Sequence, residues 1–210
     1  LKTKDVFFAI PFLENQIDSG LWNNNKIVLK KDIIENKPLL HSDVHSFKNN
    51  KNLIKEAVHN IKGILNEVNI HLNSEFEVEF SHHYGIENFN ETGATIINCI
   101  NREYCKKIIV QTSGQVHPSH FHKRKEETFH LLFGDLEIWL DGIKRNLVPG
   151  ETCLVMPGIW HSFSTKKGCV IEEVSTTHLK GDSVYKDPKI NECLLEDRKT
   201  IVPNWGRYFI

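Results

Sequence analysis

Between Gly114 and Gly134 the chain reads GQVHPSHFHKRKEETFHLLFG, and four of its 12 histidines fall within these 21 residues. On an extended strand, side chains two apart project to the same face, so His120 and His122 point together while Phe121 faces away. A charged turn, KRKEE, follows. Next comes ETFHLLFG, in which Glu127, Phe129, Leu131 and Phe133 fall on one face at a spacing of two. That face is otherwise apolar, as a barrel interior requires, which makes Glu127 the better inward carboxylate and Glu126 the exposed alternative. A further imidazole comes from His161 in PGIWHSFS, where it follows a Pro-Gly turn. Two or three imidazoles with one carboxylate suit a divalent first-row metal ion (Mn, Fe, Co, Ni or Zn) with coordination positions left open for substrate. The bland alternative is a His-rich surface loop, and the second histidine stretch weighs against it.

The remaining polar residues are weighed the same way. His130 alternates away from Glu127 and reads as packing. His117 either orients a ligand or lies in a loop, with the loop favoured. His82 and His83 precede Gly85 in SHHYG, a structural or interface feature rather than a second metal site. His178, Asp182 and Tyr185 line a barrel mouth or sit in a polar surface loop, with nothing to choose between them.

The elements that must position these groups are mostly short strands. From about Phe76, the segments FEVEF, ATIINCI, KKIIVQT, TFHLLFG, LEIWLDG, IKRNLVPG, TCLVMPG and CVIEEVS follow one another, β-branched or aromatic and punctuated by Gly, Pro or Asp-Gly. Asp141-Gly142 between two of them is a strong hairpin signal. Short strands at regular spacing predict a sandwich or barrel over 76–210, closed by an irregular, wrapping C-terminal tail. Residues 47–75 carry Leu53, Ile54, Ala57, Val58, Ile61, Leu65 and Val68 at helical spacing, with Asn50 or Asn52 as N-cap, and predict a linking amphipathic helix. Residues 1–46 read as short strands broken by Asn-rich turns and Pro38.

Charge narrows the partners. Lys and Arg number 26 against 27 Asp and Glu, a net charge of −1, so no basic excess points to nucleic acid. No apolar run approaches the roughly 18 residues of a membrane span. The opening LKTKDVFFAIPFLE lacks the apolar core and cleavage site of a secretory signal. The five cysteines, an odd number with no C-x-x-C pair, read as buried thiols in a reducing cytoplasm. The first residue is Leu rather than Met, so a longer protein is expected.

Gly114, five residues, His120-x-His122, four residues, Glu127, six residues and Gly134 match the first cupin motif position by position. GETCLVMPGIWHSFS resembles the second, with Gly150, Pro157 and His161. It departs in placing Gly158 directly after the proline and Thr165 where Asn is common. The resemblance spans roughly 94–177 and implies a mainly all-β fold, the double-stranded β-helix or cupin jelly-roll barrel, here with an N-terminal strand and helix extension. It also implies His120, His122, Glu127 and His161 as metal ligands.

Within cupins, His120, His122, Lys125 and Glu127 at H-x-H-x-x-K-x-E spacing, together with EEVSTTHLKGDSVY, resemble the D-lyxose isomerase-like sugar isomerases. That implies Lys125 and Glu173 as catalytic groups moving a proton between adjacent sugar carbons, with Lys125 more readily deprotonated beside a cation. Because Glu172 and Glu173 alternate, only one of them faces inward, and Lys125 in a charged turn would ordinarily be solvated. A homodimer is implied as well. KIVLKKDIIENKPLLHSDV, Lys26 to Val44, resembles the SAF (antifreeze-like) domain of sialic acid synthases. Three functions follow in order: a metal-dependent aldose–ketose isomerase acting on a sugar or sugar acid; a non-catalytic sugar-binding or regulatory cupin forming the C-terminal part of a sialic acid synthase-like protein; and an Fe(II) dioxygenase.

Overall fold

The computed structural model describes residues 21–23, 26–28, 41–203 and 205, with side chains placed from Asn50 onward. The SAF-like stretch therefore falls for the most part outside the described residues. At its start, β2 (Lys26–Val28) pairs antiparallel with β1 (Leu21–Asn23), which precedes it. The chain divides at Ser46 into two units, and the candidate site lies wholly in the second, Phe47–Ile210.

Helix α1 (His41–Glu67) starts well before the expected caps at Asn50 and Asn52. No Gly or Pro stands between His41 and Lys62, and the polar residues of HSDVHSFKNN cost a helix only a few tenths of a kcal/mol each. Its buried residues Ala57, Val58, Ile61 and Leu65 cluster with Val78, Phe80, Ile97, Ile108, Val110 and Val170 of a β-sheet. This is the cover-helix role that the apolar spacing predicts.

The strands are β3 (Glu77–Ser81), β4 (Ala94–Asn101), β5 (Tyr104–Gln111), β6 (Val116–His122), β7 (Glu127–Gly134), β8 (Leu136–Leu140), β9 (Ile143–Leu147), β10 (Thr152–Val155), β11 (His161–Ser164), β12 (Cys169–Thr176), β13 (Ser183–Tyr185) and β14 (Lys199–Val202). They form two antiparallel sheets, ordered β10-β7-β12-β5-β4-β3-β14 and β13-β6-β11-β8-β9. The inner core joins residues of both: Ile109, Phe129, Leu131 and Ile171 from the larger sheet, Leu136, Ile138 and Phe163 from the smaller. The larger sheet is thus apolar on both faces, which explains the unbroken apolar texture of IIV and CVI against the cleaner alternation elsewhere. Among the described residues no helix is long and apolar enough to cross a membrane.

Several local expectations meet a physical correction. The β8–β9 turn is formed by Asp141 (φ 46°) and Gly142 (φ 83°), the two positive values that a tight primed hairpin turn needs. Phe133 does not continue the inward face of Glu127, Phe129 and Leu131. The β7–β12 register shifts between Leu131↔Ile171 and Phe133↔Val170, and the extra residue turns Phe133 outward. The tail is not irregular: it holds α2 (Pro188–Glu192), α3 (Leu195–Arg198) and β14, an edge strand on β3. Asp187 caps α2 by accepting the Lys189 N–H, with Pro188 in the first turn, where a proline costs nothing. Cys105, Cys153 and Cys169 are buried, whereas Cys99 is half-buried and Cys193 exposed.

Gly134, between β7 and β8, has φ 86°, and a Cβ there would lie 1.9 Å from the Gly168 carbonyl oxygen. Gly142 has a similar φ of 83° with open space around its Cβ position. Denaturant unfolding should therefore show Gly142→Ala costing about 1 kcal/mol, for backbone strain alone. Gly134→Ala should cost about 3 kcal/mol or more, because two backbones must separate. Equal losses would refute this packing.

Candidate metal centre

His120 and His122 come from β6 and His161 opens β11, directly opposite His120 in the ladder. Phe121 turns the other way, edge-on to Trp160 at 4.7 Å. All three imidazoles are buried, and one ring nitrogen from each lies within 4.8 Å of the others. The rings are held from behind. His120 Nδ1 is 3.0 Å from the Pro118 carbonyl and His161 Nδ1 is 3.0 Å from the Ile159 carbonyl. A carbonyl only accepts, so each Nδ1 carries the proton and each Nε2 presents a lone pair, the tautomer a metal requires. His122 Nδ1 is oriented by Ser183 Oγ at 3.2 Å. Burial, then repulsion from His161, His117 and His122, holds the pKa of His120 well below that of a free imidazole, and burial also lowers that of His122.

Glu127, at the start of β7, faces this triad. Its Oε1 is 3.3 Å from His122 Nε2 and its Oε2 is 3.2 Å from His161 Nε2. Among the described residues, neither His161 Nε2 nor Glu127 Oε2 finds a hydrogen-bond partner, although both are buried. Two lone pairs facing each other at that distance repel, and a cation between them removes the conflict. The donor set therefore fits a divalent ion.

The other carboxylate is Glu173 on β12, opposite Phe129 and Lys107 in its two ladders. It is buried. Glu172 points out of the barrel to Lys106 (2.7 Å) and His130 (3.4 Å), so the alternation resolves in favour of Glu173 facing inward. His130 accordingly lies on the outer face, as its parity predicts. Glu126 is exposed.

Lys125 is not solvated. Its backbone N–H donates to Asp182 Oδ2 at 3.1 Å, and its ammonium pairs with both Glu127 and Glu173, the latter at 3.1 Å. Burial works against its charge, but Glu173 and then Glu127 outweigh it and raise the pKa above that of a free lysine. Without a cation in the site, then, Lys125 is held protonated rather than readied to lose its proton. In Glu127, burial favours the neutral acid and the Lys125 ammonium outweighs it, leaving the carboxyl well below the usual range.

Five residues of this site are missed by motif spacing, left open by it or given the wrong setting. Lys107 on β5 is buried and donates to both oxygens of Glu173, at 3.1 and 3.4 Å. The readable signal is Lys-Lys at the head of one apolar strand and Glu-Glu in another. Ser175 Oγ donates to Glu173 Oε1 at 3.0 Å. Tyr185 is buried and stacks on His120 at 5.2 Å, so it lines the site rather than a surface loop, as does Asp182. Burial pushes the Tyr185 hydroxyl up to about 12. His117 is not in a loop: it is buried on β6, stacked on Phe163 at 4.6 Å with Nε2 3.2 Å from His83 Nε2. The β6–β11 register shifts between His161↔His120 and Phe163↔His117, which lets two histidines of opposite parity turn inward together. His82 reaches Thr200 Oγ1 at 3.1 Å, so both histidines of SHHYG act in packing. His178 is half-buried, and its backbone N–H donates to Asn101.

Residues 107–175 match the family model Cupin_2, the cupin domain. No curated protein matches the chain by sequence. Among solved structures, L-ribose isomerase from Cellulomonas parahominis with L-psicose superposes with a TM-score of 0.54 at 14% identity, covering 67% of this chain and 94% of that one. The same enzyme with L-ribose gives 0.51 at 14% identity, covering 65% of this chain and 92% of that one. KdgF from Halomonas sp. gives 0.40 at 17% identity, covering 41% of this chain and 81% of that one. At these identities the likeness is one of fold. The barrel is a cupin jelly roll, a double-stranded β-helix, with a buried histidine triad suited to a divalent metal ion.

Proposed function

We propose that this protein is a metal-dependent aldose–ketose isomerase acting on a sugar or sugar acid. The observation that carries the reading is the buried Glu173–Lys125–Glu127 string beside the histidine triad, a base and a proton donor placed next to a cation site. The triad and Glu127 would hold the ion. When bound, it supplies Lewis-acid polarisation of the substrate's carbonyl and hydroxyl oxygens.

The chain's own groups account for the proton transfers. The carboxylate of Glu173 takes the proton from the carbon beside the carbonyl and returns it to the neighbouring carbon. One C–H bond breaks, one forms, and no oxidant is consumed. Lys125, an ammonium shared by two carboxylates, serves as the hydrogen-bond donor to the oxygen where negative charge develops, while the hydroxyl proton moves between the two sugar oxygens. Tyr185 and the barrel walls limit water around the reacting carbons. The fold likeness to L-ribose isomerase described above is consistent with this assignment. An Fe(II) dioxygenase would also accept three histidines and a glutamate, but it leaves the buried lysine–carboxylate string without a task.

Two outcomes are expected. Purified protein should bind about one divalent ion per chain; at an excess of about 100 Kd, the ion should stabilise it by about 2.7 kcal/mol in thermal unfolding, an effect that His161→Ala abolishes. Unchanged metal binding by His161→Ala would refute the ligand set. In D2O, the metal-loaded protein should interconvert a pentose or hexose pair with deuterium entering beside the carbonyl, and Glu173→Gln should lower kcat about 10²–10⁴-fold. Calorimetric sugar binding without turnover would instead indicate a binding module, and oxygen uptake seen with Fe(II) alone would indicate a dioxygenase.

A further inference from the structure

Lys107 has no part in the proton transfers above, yet it is a buried ammonium whose hydrogen-bond partner is Glu173. A lysine placed almost wholly out of water is costly unless its charge is matched, and here it is matched by the carboxylate assigned as base. The way it is matched carries more information than the pairing itself. Glu173 Oε1 accepts from Lys125 at 3.1 Å, from Ser175 Oγ at 3.0 Å and from Lys107 at 3.1 Å. Among the described residues, Glu173 Oε2 accepts from Lys107 alone, at 3.4 Å. Three donors saturate one carboxylate oxygen, and a single long contact leaves the other with lone-pair capacity.

Two of the three Oε1 donors, Lys125 and Ser175, engage that oxygen alone, so they hold the carboxylate by one corner. Both oxygens lie off the axis of the last side-chain bond, so rotation about it displaces Oε1 and Oε2 together, and these two donors restrain Oε2 only through Oε1. Lys107 also touches Oε2, which gives the second corner of the carboxylate its own anchor. Its own position is firm, because β5 and β12 pair through eight consecutive residues with Lys107 directly opposite Glu173. Lys107 also stands apart from the triad: the three imidazoles come from β6 and β11, in the other sheet.

We propose that Lys107 is a positioning residue that clamps the Glu173 carboxylate with Oε1 saturated, leaving Oε2 as the oxygen that exchanges the substrate proton. This rests on the isomerase reading for its kinetic consequence, though not for its structural one.

The test uses the whole metal-loaded chain. Lys107→Met keeps the volume and removes the cation. It should bind metal as the wild type does, lower kcat about 100-fold, as expected for a misaimed base, and leave KM within about threefold. Lys107→Arg keeps the charge and should recover about tenfold of that loss; it also replaces the Met variant as the probe should that variant fail to fold. A wild-type rate in Lys107→Met, or an arginine variant as slow as the methionine one, would overturn the proposal. A crystal structure of Lys107→Met gives the readout independent of activity: the triad unmoved and the Glu173 carboxylate rotated from its wild-type orientation supports the clamp, and an unrotated carboxylate overturns it. Absence of isomerase activity in the wild type would end the isomerase reading and leave the rotation to decide the role of Lys107.

Discussion

The centre of this barrel is arranged around one constraint: four ionised side chains are buried together, and each is tolerable only because of the next. Lys107, Glu173, Lys125 and Glu127 alternate in sign along a continuous chain of ion pairs. Removing one member of such a string leaves its neighbour charged and unmatched in the interior, at a cost of about 3–5 kcal/mol. Burial by itself would neutralise both carboxylates. The ammonium groups reverse this and hold Glu127 and Glu173 ionised, with Lys107 and then Lys125 the larger influences on Glu173.

The strands that carry the string lie together in the larger sheet. The larger sheet is packed on both faces, by α1 and the strands outside and by the inner core inside, so β5, β7 and β12 cannot shift independently. Those three strands carry Lys107, Glu127 and Glu173. The imidazoles come from the opposing sheet, and the β6–β7 turn brings Lys125 between the two. Its backbone is tied to Asp182, which precedes β13, so the C-terminal segment fixes the turn that carries the lysine.

Much of this was legible in the sequence, because the signals were local and periodic. The i, i+2 spacing of His120 and His122, the apolar face shared with Glu127 and the Asp-Gly hairpin all depend on strand alternation alone. What alternation could not show is where alternation fails. A register shift turned His117 inward and another turned Phe133 outward, and both depend on a partner strand rather than on the residues themselves. Lys107 was missed for a related reason. A lysine on an apolar strand reads as an exposed edge until the glutamate opposite it is known, and that glutamate lies 66 residues away. The burial of Lys125 is hidden on the same grounds, since a charged turn is ordinarily wet unless the barrel folds over it. The start of helix α1 at His41 is not legible because no breaker marks it and Asn50 and Asn52 offer plausible caps further on.

The two carboxylates share a pattern that links the metal centre to the acid–base chemistry proposed for it. In each, one oxygen is engaged by ammonium groups and the other is left under-bonded: Glu127 gives Oε1 to Lys125 and has no partner for Oε2, while Glu173 gives Oε1 to three donors and keeps a single long contact on Oε2. Lys125 is the ammonium common to both. A cation drawn to Glu127 Oε2 need not break the Lys125 contact, so the site can be folded and balanced first and loaded afterwards. An ion held by Glu127 would draw on its charge, and the same lysine would then pair more strongly with Glu173. Lys125 is thus the one side chain that contacts both the carboxylate facing the triad and the carboxylate proposed as base.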